Sequence, residues 1–551
     1  YDARIRRLDD RVTKEFTLRG FSDQDVAKVL TEKEIDPEQL HEITLERLRT
    51  AQFLDAFIRL SDKKREAAPH WSPAASHIYT LQSLYEDMWQ ATLRSTENAN
   101  VDSEGVISLT SMLSNRMTEQ QRLSVPRAAL EDSRSEADWL HSEGIIKRDE
   151  HSVRFFHQTF SDFMVARGFV KDGISLTDYL LETDQRLFFR PLLKQVLQYL
   201  RDTDTKQFYR EVTSLLQDDY IRRHLKNVTY TYLGQVRDPS QEDLNFFEPL
   251  FESSEEFRRA LQYMHANPDW LEAIGHDRVE KWLAPDSGQQ KALIIRFLKS
   301  IIDERQEDVV SLLGPTVGRS EGWNNRLTSC LRGIGEHFSD AAVDLFETIL
   351  TDDNTDLHGE VTWWTDVLHS LAEQRPEVAA RFIGTVLSRF AEHSDFEDGL
   401  ADSNGIPSRD EVEAYLPDDN RFWNAARHVA SAEPVALLSN CLKYLWNILS
   451  YSAKFELPNE FKRGNPYIWN YTESSPHSPA NSMISVLAEA TFNLAESSPQ
   501  TFRKVLPEFT KKDFLPAQRI VADAFARKPE EYAADAAEFL CQDARRLKLG
   551  P

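Results

Sequence analysis

Apolar positions along this chain recur mostly at helical spacing. Ser22 followed by Asp25 reads as a capping box, after which Val26, Val29 and Leu30 share one helix face. Pro37 suits a first helical turn, and the spacing predicts a second helix from there through Leu40, Ile43, Leu48, Phe53, Leu54, Phe57 and Ile58. Phe16–Leu18 predicts a short strand, and the charged, proline-containing stretch 62–73 a loop. Leu81, Leu84, Tyr85, Met88 and Trp89 make an amphipathic helix, as do Val106, Leu109, Met112, Leu113 and Met117. Val125-Pro126 is expected to open a third helix and Ser135–Ser142 to form a fourth, ended by Gly144 in the left-handed region. Ile145-Ile146 and Val153–Phe156 flank a polar turn and predict a hairpin, after which Phe156, Phe160, Phe163 and Met164 restart the helical period. Helix, helix, hairpin and helix in this order are the elements of a winged helix.

From 176 to 551 helix follows helix, including 227–236, where Leu225, Val228, Tyr232, Leu233 and Val236 keep the helical spacing. Pro268, Pro376, Pro434, Pro499 and Pro529 each follow a polar residue and open a new apolar-periodic segment. Proline in a first turn costs no hydrogen bond there. The irregular intervals predict an α-solenoid of degenerate HEAT/TPR-like helical hairpins. The segments 394–420 and 457–480 carry the turn-forming composition of loops. The fold class is therefore mainly α: a small helical domain over 1–70, a winged-helix domain over 71–175 and a solenoid over 176–551.

Composition narrows the function classes. The 551 residues hold 65 Lys+Arg against 90 Asp+Glu, a formal charge of −25, which argues against a basic nucleic-acid coat or a polybasic membrane anchor. Only 19 residues are glycine, few for a large βαβ enzyme, and no apolar run is long enough to span a membrane. Cys330, Cys441 and Cys541 have neither disulfide nor zinc spacing and are expected to be buried thiols in a reducing compartment.

Candidate chemistry is sparse. Gly314 to Ser320 is one residue short of a phosphate loop and carries Arg319 where that loop needs lysine, so it reads as an inter-helix turn. Ile301-Ile302-Asp303-Glu304 reads as the solvated end of an amphipathic helix. No His-Glu-x-x-His, Gly-x-Ser-x-Gly or Gly-x-Gly-x-x-Gly occurs, so no catalytic residue and no metal-ligand set is assigned. Trp363-Trp364, Phe422-Trp423 and Trp446 read as core residues between helices. Tyr467, Trp469 and Tyr471, in a proline-rich stretch, read as a partner-binding surface.

One segment is specific. Within residues 153–167, Phe155 and Phe156 are followed by His157, Thr159, Phe160, Asp162, Phe163 and Ala166. This segment resembles the last winged-helix helix of STAND-class NTPases, the NACHT group especially. Glu15 to Val26 is similar to that family's strand and helix after the nucleotide core, Leu40 to Leu60 to its small helical domain, and Leu84 to Trp89 to the start of its winged helix. The resemblance covers residues 1–175. It implies that His157 reaches the phosphate of bound ADP and clamps an inactive state, and that the parent protein uses ADP/ATP with Mg²⁺. It further implies a cytoplasmic protein with a protein trigger on the solenoid and a nucleotide-driven homo-oligomer, serving prokaryotic anti-phage defence. The Walker A and B elements are not in this chain, which opens at Tyr1 without methionine. The nucleotide core is thus expected before Tyr1, and this chain alone is not expected to be an ATPase. Ser135–Ser142 carries two acids and no lysine or arginine, so the winged helix is expected to act as an intramolecular switch and not to read nucleic acid. The rival reading is a helical-repeat interaction scaffold without nucleotide switching.

Overall fold

Ser22 caps the first helix, α1 (Asp23–Glu32), in a capping box with Asp25, as the spacing predicts. The computed structural model describes residues 20–67, 80–120, 122–187, 189–285, 289–335, 337–357, 363–392, 416–452, 460–462 and 479–549. The expected strand at Phe16–Leu18, most of the two loop segments, and Tyr467, Trp469 and Tyr471 lie outside them. The single helix expected from Pro37 to Ile58 is three pieces: a 3₁₀ turn at Pro37–Gln39, α2 (Glu42–Leu48) and α3 (Ala51–Ala67). Its break has a tertiary cause. The Arg49 carbonyl accepts the Phe21 N–H at 2.7 Å, and Arg49 Nε donates back to the Phe21 carbonyl at 3.2 Å. The loop expected over 62–73 is helical as far as Ala67, where Asp62, Lys63 and Lys64 pair with Lys33, Glu143 and Asp87.

α4 (Leu81–Ala99) and α5 (Ser103–Glu119) form as expected. Val125-Pro126 does not start a helix but is strand β1, followed by a 3₁₀ turn and α6 (Arg134–Ser142). Its partner lies downstream: β1 pairs antiparallel with β3 (Ser152–Phe155), which also pairs with β2 (Ile146–Arg148), in the order β1-β3-β2. Proline is tolerated because β1 is an edge strand. Gly144 ends α6 at φ 70°, the left-handed conformation that favours glycine. α7 (Gln158–Lys171) leaves the sheet directly. The contacts divide the chain into two units, Tyr1–Leu233 and Gly234–Pro551. α8 (Leu176–Glu182), α9 (Phe189–Thr203), α10 (Thr205–Gln217) and most of α11 (Arg223–Gly234) belong to the first, because α9 packs on α7 and α4. Helix α11 includes most of 227–236, with Leu225 and Leu233 fully buried.

The second unit is a stack of hairpins. Its helices are α12 (Gln241–Phe247), α13 (Ser254–Tyr263), α14 (Asp269–Ile274), α15 (His276–Leu283), α16 (Gln290–Ile301), α17 (Gln306–Leu313), α18 (Glu321–Leu331), α19 (Asp340–Thr351), α20 (Trp363–Gln374), α21 (Pro376–Glu392), α22 (Asn420–Ala432), α23 (Pro434–Ser452), α24 (Pro479–Ser497), α25 (Pro499–Thr510), α26 (Leu515–Arg527) and α27 (Pro529–Gln542). α13, α16, α18, α20, α22, α24 and α26 pack successively in one layer; α15, α17, α19, α21 and α23 pack successively in the other. The prolines have a structural meaning here. Pro376, Pro434, Pro499 and Pro529 each open the second helix of a hairpin, whereas Pro268 precedes the short α14. Trp364, Phe422 and Trp423 are buried between helices, with Trp364 and Phe422 edge to face at 5.9 Å. Cys330 and Cys441 are buried, and burial pushes both thiols up to about 12; Cys541, expected to be buried, is exposed because it faces out of α27. The protein is mainly helical, with 27 α-helices and three short strands among the described residues. Among those residues no helix is long and apolar enough to cross a membrane.

Candidate functional site

The β3–α7 junction is shaped by aromatic packing. Phe160 is fully buried, with its ring 5.3 Å from Tyr85, 5.1 Å from Phe156 and 5.6 Å from Phe163. This anchors the first turn of α7 and leaves His157 exposed at its end. His157 is the N-cap of α7, one position outside the first turn where its place in the motif suggests it. Its Nδ1 accepts the Thr159 backbone N–H at 3.2 Å and lies 2.8 Å from Thr159 Oγ1. Thr159 Oγ1 is itself 2.8 Å from the Tyr85 hydroxyl and accepts from Gln52 Nε2, which also donates to the Tyr85 oxygen at 3.2 Å. Because Nδ1 accepts, the network assigns the proton of the neutral ring to Nε2. Nε2 has no partner among the described residues. The chain Gln52–Tyr85–Thr159–His157 therefore links α3, α4 and α7, and presents one imidazole donor outward.

A cleft of about 220 Å³ opens beside it, lined among others by Arg122, Leu123, Arg154, His157, Ser161 and Asp162. Arg154 reaches it by the alternation of β3, which buries Val153 and Phe155 and turns Arg154 outward. Arg122 and Arg154 meet no carboxylate among the described residues. Asp162 is half-buried without a hydrogen-bond partner there, and burial pushes its carboxyl up to about 6. The cleft thus brings Arg122, Arg154 and His157 together with one carboxyl that burial makes easier to protonate, at the N-terminus of a 14-residue helix where the macrodipole favours an anion. Sequence reading reached His157 but not Gln52, Tyr85, Arg122 or Arg154, nor a role for Asp162. Only the outward alternation of Arg154 leaves a signal in the sequence.

The Asp162 carboxyl carries a sign that can be tested. Its folded value lies above its ordinary 3.8, so the folded state binds the proton more tightly and stability falls as pH rises from 3.8 through about 6. The full shift would correspond to at most about 3 kcal/mol, and the part-exposure of Asp162 reduces that to about 1 kcal/mol. Asp162→Asn is expected to raise the unfolding free energy measured in urea at pH 8 by that amount and to leave it unchanged at pH 3.5. An equal effect at both pH values would reject the assignment.

Elsewhere the candidate motifs resolve as structure. The Gly314–Ser320 turn uses its groups internally: Trp323 Nε1 donates to Thr316 Oγ1 at 3.0 Å, and the Gly318 N–H donates to Asn324 Oδ1 at 3.0 Å. Gly318 has φ 80°, and a Cβ there would lie 2.6 Å from the Asp352 carboxylate, an acid unsuited to a phosphate loop. A cavity of about 290 Å³ is lined by Glu321, Asp353, Asp356 and Arg389, but Arg389 is engaged by the Leu350 and Asp352 carbonyls at 2.9 and 2.7 Å. No group of three or more His, Cys, Asp or Glu side chains among the described residues could hold a metal ion. No protein-family pattern and no curated protein matches this chain.

Proposed function

We propose that this chain is the regulatory and sensor portion of a STAND/NACHT-like signalling ATPase acting in prokaryotic anti-phage defence. In this reading residues 71–175 are a winged helix, and the second unit is a HEAT/TPR-like repeat that receives a protein trigger. The observation that carries it is the held imidazole: His157 is oriented by Thr159, with a free Nε2 donor beside Arg122 and Arg154. These groups suit the phosphates of ADP. The cleft, at about 220 Å³, is smaller than the roughly 300–1,000 Å³ of complete small-molecule sites, so this chain supplies one wall of the nucleotide site. ADP and Mg²⁺ would supply the charge whose loss or exchange switches the parent protein, which oligomerises when active. The residues here bind and orient: His157 donates from Nε2, Arg122 and Arg154 neutralise charge, and Asp162, whose carboxyl burial raises to about 6, would take up a proton more readily beside the anion.

The test is His157→Ala in the full-length parent. Loss of ADP retention together with activity in the absence of trigger is expected. Unchanged retention and unchanged basal activity would favour the alternative, a helical-repeat scaffold without nucleotide switching, to which the stacked hairpins of the second unit lend support.

A further inference from the structure

In a chain of net charge −25, one seam of the second unit carries only positive charge. α13 and α16 pack side by side, and a cavity of about 480 Å³ along them is lined by Arg258, His265, Arg296 and Lys299 over an apolar floor that includes Leu261 and Leu293. No Asp or Glu lines it. Several other guanidinium groups of the unit find carboxylates: Arg259 takes both Glu255 and Glu256 at 2.5 Å, and Arg332 takes Asp366 at 2.9 Å. Arg259 thereby removes the acids closest in sequence to Arg258. α16 contains no acid at all. Arg258 and Arg296 have no carboxylate partner among the described residues. Lys299 is half-buried and donates to Ser329 Oγ at 3.3 Å; burial, together with the nearby Arg332, pushes its ammonium down from the usual lysine range against the smaller opposing pull of Cys330 and of Asp366, which Arg332 itself engages.

Because no carboxylate lines the seam, an anion entering it would meet Arg258, Arg296 and Lys299 without a competing acid there. The form of the seam selects the anion. Small-molecule sites enclose most of their ligand, whereas Arg258, His265 and Arg296 here are exposed. The stretch from Arg258 to His265 extends about 10 Å at roughly 1.5 Å per helical residue, the length of about three residues of extended chain. We propose that the α13–α16 seam binds an acidic peptide segment of a partner protein, its carboxylates on Arg258, Arg296 and Lys299 and an apolar side chain against Leu261 and Leu293. This rests on the reading of the second unit as the surface that receives a protein trigger.

The experiment is fluorescence anisotropy on this chain, without nucleotide, using a fluorescein-labelled hexapeptide of alternating glutamate and leucine. Binding that weakens with salt is expected, at least about tenfold weaker in R258E/R296E and intermediate in R258Q/R296Q, with no binding of the lysine–leucine counterpart. Both arginines are exposed, and unchanged circular dichroism and melting would confirm that the variants are folded. Absence of binding by the parent, or equal binding by the folded R258E/R296E variant, would overturn the proposal. So would displacement by inorganic phosphate or ADP beyond that by sodium chloride at equal ionic strength, which would make the seam a small-anion site. H157A is expected to bind the peptide as the parent does, so failure of the nucleotide reading and failure of this one are told apart.

Discussion

Phe160→Ala is expected to destabilise the first unit by about 3–5 kcal/mol, the range for truncating a buried phenylalanine. The ring is fully buried and meets five aromatic neighbours, including Trp89 at 6.4 Å and Phe155 at 5.7 Å besides those that anchor α7. These neighbours come from α4, β3, the β3–α7 junction and α7, so they cannot close on the void without moving an element boundary. The loss also reaches the candidate site, because Thr159 and its contacts to Tyr85 and Gln52 sit on the same turn. Hydrogen exchange is expected to accelerate in Leu81–Ala99 and Gln158–Lys171 and to stay unchanged in Gln290–Ile301. A cost below about 1 kcal/mol would show that the cluster is not the anchor argued for here.

Arg546→Ala is expected to cost about 2–4 kcal/mol and to loosen the C-terminal hairpins. This guanidinium is buried, donating to the Phe539 carbonyl at 2.7 Å, to Gln518 Oε1 at 2.9 Å and to the Thr510 carbonyl at 3.1 Å. It also lies 4.1 Å from the centre of the Phe539 ring. Gln518 in turn donates to the Lys512 carbonyl at 2.7 Å, so one side chain holds the ends of α25 and α27 through the first turn of α26. Truncation leaves buried acceptors without donors, which costs more than the bonds themselves are worth. Arg546→Lys is expected to recover only part of the loss, because an ammonium lacks the planar fork. Exchange rates over Pro499–Gln542 would check this; rates unchanged in the alanine variant would contradict it.

Much of the helical architecture was legible locally. Ser22 with Asp25, Gly144 and the prolines at 376, 434, 499 and 529 mark ends of helices because capping and proline geometry act within a few residues. Where expectation failed, a distant partner decided. Val125-Pro126 pairs with a strand that begins at Ser152, and the break at Arg49 follows from its bonds to Phe21. Cys541 failed differently: one thiol in a helix gives no indication of which side the stack will cover.

The candidate site divides along the same line. The motif placed His157 at the start of a helix beside an aromatic face, and that much follows from residue order and 3.6-residue periodicity. The sequence by itself also determined the mainly helical class, the acidic balance and the lack of familiar catalytic motifs. Only the tertiary structure decided that Gln52 and Tyr85 orient His157 through Thr159, that Arg122, Arg154 and Asp162 share its cleft, and that Arg258 and Arg296 lack the acids their neighbours have. Periodicity reports which face of an element is covered. It carries no information on which other element covers it, and hydrogen bonding and charge pairing are settled at that contact.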